Sequence, residues 1–547
     1  MDSAPTVPST FLSFSRVRWW HVVAVLLAVQ VLVPVFALAL SWQSVDTDLW
    51  QHLLNTQLPT LLKNTLILVF GVAIGVIVLG VSLAWLVSMC EFPGRRWLDW
   101  ALMMPLAIPA YVLAFVFTGF FDFAGPLQST LKQWLPGYQF VDVRNSFGVI
   151  TTLTLVLYPY VYMLARSAFL AQGYGLIEAA RILGKTPRQA FFQVALPMAR
   201  PAIAAGMALA LMETLADFGA VSVFNYDTFT TAIYKAWYGL FSLETAAQLS
   251  TLLLLFVAVS VVVERNSRGS SSYAQSEKSK QRSRFVLTGR RALFASTFCG
   301  LVFALAFLLP IIQLTVWVVQ QGLSDMDARY LALLRSTIGL GAVAASVTVT
   351  GALLLAYAKR LSPSGLTSSS ATIATLGYAL PGSVLAVGIM MVFGWLDRHL
   401  VASIQESLDL PVSQWFLGGL LVLVLAYCIR FMAVAFGPVE SSLERIRPSI
   451  QEAARSLGAS HWQVLTRVYL PMLTPGILTG LLMVLVDVMK EMPATLLMRP
   501  FGWDTLAVRI YELTSEGEWE RAALPALTLV LVGLGPVILL MRRSVTH

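Results

Sequence analysis

The sequence is short of charge, of histidine and of cysteine, and each shortage removes a class of function. Only 12% of its 547 residues are charged, against 57% that are hydrophobic, and the mean hydropathy is +0.74. A soluble domain cannot bury that much apolar surface, whereas stretches of about 20 apolar residues cross a bilayer as helices. The three cysteines, Cys90, Cys299 and Cys428, lie far apart in or beside apolar segments, which leaves neither a disulfide framework nor a zinc site. The five histidines, His21, His52, His399, His461 and His547, are scattered with no spacing that makes a metal site. No metal ligand is assigned.

What remains is a polytopic, all-α membrane protein. Approximate spans fall at 19–40, 62–88, 98–121, 147–170, 201–221 and 245–263, then at 292–319, 336–357, 371–394, 415–436, 474–490 and 522–541. A net charge of +8 could suggest nucleic acid, but the basic residues cluster in alternate short loops, which is how a membrane protein sets its orientation. Arg16 and Arg18, Arg95 and Arg96, Lys359 and Arg360, and Arg542 and Arg543 all fall on one face of a twelve-span chain. That face is expected to be cytoplasmic, with both termini on it. The first apolar run follows two arginines and ends in Ala37-Leu38-Ala39, as a signal peptide does, yet it is longer than a signal core and is read as a retained span.

The chain is internally repeated. Residues 178–203 read EAARILGKTPRQAFFQVALPMARPAI and residues 452–477 read EAARSLGASHWQVLTRVYLPMLTPGI, identical at 13 of 26 positions at a constant offset of 274. Leu61–Leu66 parallels Leu333–Ile338, and Pro109 with Val112-Leu113-Ala114 parallels Pro381 with Val384-Leu385-Ala386. Residues 264–291 hold eight Lys/Arg against two acids among many serines, without apolar periodicity, and read as a basic cytoplasmic linker. The domain reading is therefore a first six-span repeat at 1–263, the linker, and a second six-span repeat at 292–547. An even number of spans per half gives both repeats the same orientation, about an axis along the membrane normal.

Each repeated segment is polar and lies between spans four and five of its half. Glu-Ala-Ala-Arg opens a helical stretch, a glycine (Gly184, Gly458) suits a tight turn, and Leu-Pro-Met (from Leu196 and Leu470) is expected to end a second helix before the next span. Gly184-Lys185-Thr186 imitates the end of a phosphate-binding loop, but that loop needs a glycine where Ala179 stands. Spans 5 and 11 carry Glu213 and Asp217, and Asp487 and Glu491, each pair four residues apart and so on one helix face; Lys490 sits between the latter two. Intramembrane carboxylates cost about 3 kcal/mol or more and face a partner or an aqueous cavity. They are candidates for the translocation pathway, with neutralisation by Lys490 as the plainer reading.

The pattern of Glu-Ala-Ala, a glycine six residues after the Glu, then Leu-Pro resembles the EAA loop of permease subunits of binding-protein-dependent ABC importers. The segments KEMPATLLMRPFGWDTLAVRIYE (490–512) and TLADFGAVSVFNYDTFTTAIYKAWYGL (214–240) look like the ferric-iron type, whose two permease units are commonly fused. The resemblance implies the type I importer permease fold in the inner membrane. It also implies coupling to a cytoplasmic ATPase homodimer through Glu178, Ala179, Gly184, Glu452, Ala453 and Gly458, and cargo delivered by a periplasmic binding protein. ATP and Mg would sit on the ATPase, leaving this chain with lipid around it, no cofactor and no catalysis. Relatives carrying thiamine, polyamines or phosphonates share the architecture. An ion-gradient-driven secondary transporter is the alternative class.

Overall fold

The computed structural model describes residues 14–135, 140, 142–172, 178, 180, 182–268, 284–321, 326–411 and 413–545. Among these, eleven helices are long and apolar enough to cross a membrane, and a bent pair makes a twelfth. In order they are spans 1 (Trp19–Gln43), 2 (Leu58–Met89), 3 (Arg95–Ala107 with Ala110–Phe120), 4 (Ser146–Gln172), 5 (Arg188–Ala216) and 6 (Leu243–Val262). Spans 7 (Arg290–Gln321), 8 (Ala328–Leu361), 9 (Gly382–Ser407), 10 (Leu420–Glu444), 11 (Val464–Lys490) and 12 (Trp519–Ile538) follow. Phe36, Phe70 and Ile74 are each 64% exposed, as lipid-facing residues of spans 1 and 2 should be.

Span 3 differs from the straight helix expected over 98–121. It bends by 93° between Ala107 and Ala110. Pro109 cannot donate a backbone hydrogen bond and its ring disfavours helical geometry in the residue before it, so Ile108 is extended (φ −88°, ψ 121°). The second half repeats the device: a short helix Gly365–Thr375 and a turn at Leu376–Ala379 lead to extended Leu380 (φ −75°, ψ 124°), then Pro381 and span 9.

The helices form two compact units, and these cut across the sequence halves. One contains residues 1–40 and 334–504, the other residues 41–333 and 505–547. Within the first unit, span 1 lies on second-half elements. Trp20 meets Tyr357 edge-on with ring centroids 5.0 Å apart, His21 Nε2 and Ser364 Oγ are 3.0 Å apart, and a Cβ on Gly388 would come within 2.8 Å of the Pro34 carbonyl. Such close backbone approach at a small residue is how helices associate where lipid gives no hydrophobic drive. Within the second unit, span 7 lies on first-half elements: Trp97 meets Phe303 at 4.9 Å and Trp317 stacks on Phe115 at 6.2 Å. The leading span of each half thus packs with helices from the other half's sequence.

Most of the linker lies outside the described residues, but its end is anchored within the second unit. Residues Cys90–Glu91, just after span 2, pair in parallel with Phe285–Val286. Glu91 also accepts from Arg95 at 3.1 Å and Arg284 at 3.2 Å. Although partial burial pushes the carboxyl upward, these two guanidinium groups hold Glu91 below the usual carboxylate range.

Candidate functional site: paired loops and span-end carboxylates

In the second loop, the helix Pro448–Ser456 begins at a proline, which suits a first helical turn, and carries Glu452 and Ala453 on its exposed surface. It ends at Gly458, whose φ of +84° lets the Ala459 N–H reach the Ala454 carbonyl at 3.1 Å. The first loop matches it. Glu178 is exposed and helical, Gly184 has φ +81°, and the Lys185 N–H reaches the Ala180 carbonyl at 3.0 Å. Ala179 lies outside the described residues. Nothing would crowd a Cβ at Gly184 or Gly458, so the backbone conformation alone asks for glycine there.

Each turn then starts its next helix with a reciprocal cap. The Thr186 N–H donates to Gln189 Oε1 at 2.9 Å while the Gln189 N–H donates to Thr186 Oγ1 at 3.3 Å. Ser460 and Gln463 repeat this at 2.8 and 3.2 Å. These are capping boxes of the Ser/Thr-x-x-Gln kind. The sequence carried that signal, but the glycine and proline around it drew the reading.

The expectation that Leu-Pro-Met ends the second helix is corrected. The helix runs unbroken from Arg188 to Ala216, through Pro197. One wide π-turn, Phe191–Ala195, precedes the proline, and there the Leu196 N–H bonds the Phe191 carbonyl. Val464–Tyr469 does the same before Pro471, with the Leu470 N–H on the Leu465 carbonyl. A π-turn shifts the hydrogen-bond register by one residue, which accommodates a proline that can neither donate nor fit the regular ladder. The loop is consequently continuous with spans 5 and 11.

The loops are also tied at their bases. Tyr469, fully buried, donates to Gln451 Oε1 at 2.7 Å, and Arg360 Nη2 caps the end of span 10 at the Ile446 carbonyl at 2.6 Å. In the first loop, Phe191 packs edge-on against Trp85 of span 2 at 4.6 Å. Against this rigidity stands an apolar surface left uncovered among the described residues: Ile182, Leu183 and Leu457 are 86%, 81% and 89% exposed, and Trp462 is 67% exposed.

Spans 5 and 11 end at the same relative residue. Asp217 and Glu491 are C-terminal caps with extended ψ (127° and 113°), so neither continues the helix face that carries Glu213 or Asp487. The short-spaced acids are therefore of two kinds: Glu213 and Asp487 are half-buried within the spans, whereas Asp217 and Glu491 hold the breaks after them. Asp217 Oδ1 accepts from the Val221 N–H at 3.0 Å, and Glu491 Oε1 from the Ala494 N–H at 3.2 Å. The carbonyls of the two residues accept from Thr230 Oγ1 at 2.7 Å and Thr495 Oγ1 at 2.6 Å.

Lys490 interacts electrostatically with Asp487, whereas the partner of Glu491 is Arg430. Arg430 Nε lies 3.0 Å from Glu491 Oε2, both side chains under 10% exposed, and Arg430 Nη1 donates to the Leu380 carbonyl at 2.6 Å. One guanidinium thus joins the break before span 9 to the break after span 11. A lone arginine in the run LVLVLAYCIRFMAVAF was the available signal, since a charge inside a span needs a partner.

Residues 76–265 and 348–516 match the family described as binding-protein-dependent transport system inner membrane component, once in each half. The chain is 29% identical over 501 residues, 90% of its length and 91% of the relative's, to the Fe(3+)-transport system permease protein FbpB 2 of Haemophilus influenzae. Over 221 residues, 40% of this chain and 76% of the relative, it is 28% identical to the sulfate transport system permease protein CysT of Escherichia coli. Over 165 residues, 30% of this chain and 55% of the relative, it is 39% identical to a putative 2-aminoethylphosphonate transport system permease protein, PhnV, of Salmonella typhimurium. With one family match in each half and helices enough for twelve spans, the chain belongs to the binding-protein-dependent inner membrane components and is a multi-pass ABC importer permease, a transport subunit and not an enzyme.

Proposed function

We propose that this permease forms the pathway for ferric iron across the inner membrane, with both termini cytoplasmic. A periplasmic binding protein delivers the iron, and a cytoplasmic ATPase dimer, carrying ATP and Mg, seats on the two repeated loops. The observation that carries the coupling role is the loop pair itself: two copies of one backbone design, each continuous with a span and each presenting uncovered apolar side chains to an aqueous face. A partner gripping both loops would move spans 5 and 11 directly, because the helix after each turn runs unbroken into its span. ATP binding shifts the permease between outward and inward openings only as far as the ATPase prefers one arrangement of the loops.

Ferric cargo is supported by the full-length likeness to an iron permease; sulfate and phosphonate relatives match shorter stretches. Of the four candidate pathway acids, Asp217 and Glu491 hold backbone at the span ends, and Glu213 and Asp487 are half-buried within spans 5 and 11. Hard oxygen donors of this kind suit a hard cation. The test is ATP hydrolysis by the reconstituted complex of permease, ATPase and binding protein. Ferric-loaded binding protein should raise the rate several-fold; stimulation by a sulfate- or phosphonate-loaded protein, with none by the ferric form, would overturn the cargo assignment.

A further inference from the structure

The break after span 5 encloses a small cavity. Thr65 of span 2, Thr214 of span 5, Asp217, Thr228 and Thr230 line a cavity of about 10 Å³, which is room for one water-sized occupant. All four threonines are at most 5% exposed. The cavity lies wholly within one compact unit.

The hydrogen bonding of its wall is unbalanced. Thr214 Oγ1 donates its proton to the Ala210 carbonyl at 2.8 Å, and Thr230 Oγ1 donates to the Asp217 carbonyl at 2.7 Å. The 3.0 Å contact between Thr228 and Thr230 hydroxyls must then use the proton of Thr228. The Asp217 carboxylate accepts from the backbone N–H groups of Val221, at 3.0 Å on Oδ1, and of Ala220, and keeps lone pairs beyond those two. The hydroxyl of Thr65, buried and 3% exposed, has no partner. The wall therefore offers lone pairs from a carboxylate and several hydroxyls, with a single uncommitted proton. A wall made mostly of acceptors suits an occupant that is positive or that donates protons.

The other half shows what such an occupant would do. At the equivalent cap, 274 residues on, Glu491 meets the guanidinium of Arg430 at 3.0 Å. Among the described residues, no Lys or Arg pairs with Asp217. One fixed positive charge is built into one half by an arginine; the other half has a carboxylate and a cavity too small for a guanidinium.

We propose that this cavity binds one dehydrated monovalent cation of about sodium size, held by Asp217 and the threonine oxygens, as the counterpart of Arg430. One carboxylate matches one unit charge, and carboxylate with hydroxyl oxygens is a hard donor set. The cation would pin the end of span 5 to span 2 and to the segment after the break. It is structural and distinct from the cargo.

The test uses the full-length chain in nanodiscs of uncharged phosphatidylcholine, without ATPase or binding protein, so its outcome is independent of the transport reading. Thermal unfolding is followed in sodium chloride against N-methyl-D-glucamine chloride at equal ionic strength. Sodium should raise the unfolding midpoint by several degrees, saturably, as a ligand of the folded state does. Asp217→Asn should abolish the shift, and Thr65→Val, which keeps the volume and removes one oxygen, should raise the half-saturating sodium concentration about tenfold. A midpoint indifferent to the cation would make the occupant a water and overturn the proposal. A sodium shift unchanged in Thr65→Val would place the ion elsewhere and overturn it equally, even were Asp217→Asn not to fold.

Discussion

The breaks after spans 5 and 11 solve one structural problem with different charges. Both end a helix on a carboxylate, both engage the backbone three or four residues on, and both receive a threonine hydroxyl on the cap carbonyl. They part in what lies beside the carboxylate, which is the Arg430 guanidinium in one half and a hydroxyl-lined cavity in the other. Duplication copied the backbone design. The electrostatics of each copy were then settled separately, by whatever side chain the neighbouring span supplied. The loops show the opposite balance, because their glycines, capping boxes and π-turns match in both copies.

The largest effect should come from breaking the built-in pair. Arg430→Met leaves Glu491 charged and buried, at a cost of about 3–5 kcal/mol. Thermal unfolding and yield of monodisperse protein should collapse, whereas Arg430→Met with Glu491→Gln should recover most of the loss. If the double variant is as impaired as the single, Arg430 matters through its Leu380 contact rather than through the charge.

Next in size are the loop glycines. Proline cannot adopt a φ near +80°, so Gly184→Pro with Gly458→Pro should abolish co-purification of the ATPase while the chain still inserts in the membrane. Either change alone should leave a weaker complex, since one matched loop remains. A milder change is Leu183→Asp or Leu457→Asp. Burying a leucine is worth about 1.5–3 kcal/mol, so each should weaken ATPase binding by roughly tenfold or more without altering protein stability. Equal losses would show that the loops are used equally; a large loss at only one would show that duplication of shape has not kept duplication of load.

The smallest effect concerns the turns after spans 2 and 8. The first is tied by Glu91 to Arg95 and Arg284, the second by the Ser364–Thr367 capping box, which contains no carboxylate. Because the folded pKa of Glu91 is lowered, its contribution is complete above the ordinary carboxylate value and fades as pH falls through the folded value. Limited proteolysis at the Phe285–Val286 segment should therefore rise once the pH falls below the ordinary carboxylate range, and in Glu91→Gln at neutral pH. Acid-independent cleavage would detach that ion pair from the anchoring.

Much of this was legible in the sequence because membranes simplify it. Twelve apolar runs, alternate basic loops and the 274-residue offset lead to the spans and to the repeated loops, and Gly184 and Gly458 take the positive φ their places suggested. The exchange of spans 1 and 7 between the units was not legible, because an apolar run states that a helix crosses lipid and says nothing of its neighbour. Ile108-Pro109 and Leu380-Pro381 did carry the break of their spans, though hydropathy averaged over it. Pro197 and Pro471 misled in the other direction, since a π-turn absorbed them. Arg430 was visible as a charge in a span, but its partner lay 61 residues away and only folding could identify it.

Transport into proteoliposomes tests the central claim most directly. Vesicles holding this chain alone should accumulate no iron under a proton or sodium gradient, and adding the ATPase, ATP and ferric-loaded binding protein should start uptake. Uptake driven by a gradient through the isolated chain, unaffected by ATP, would contradict the account.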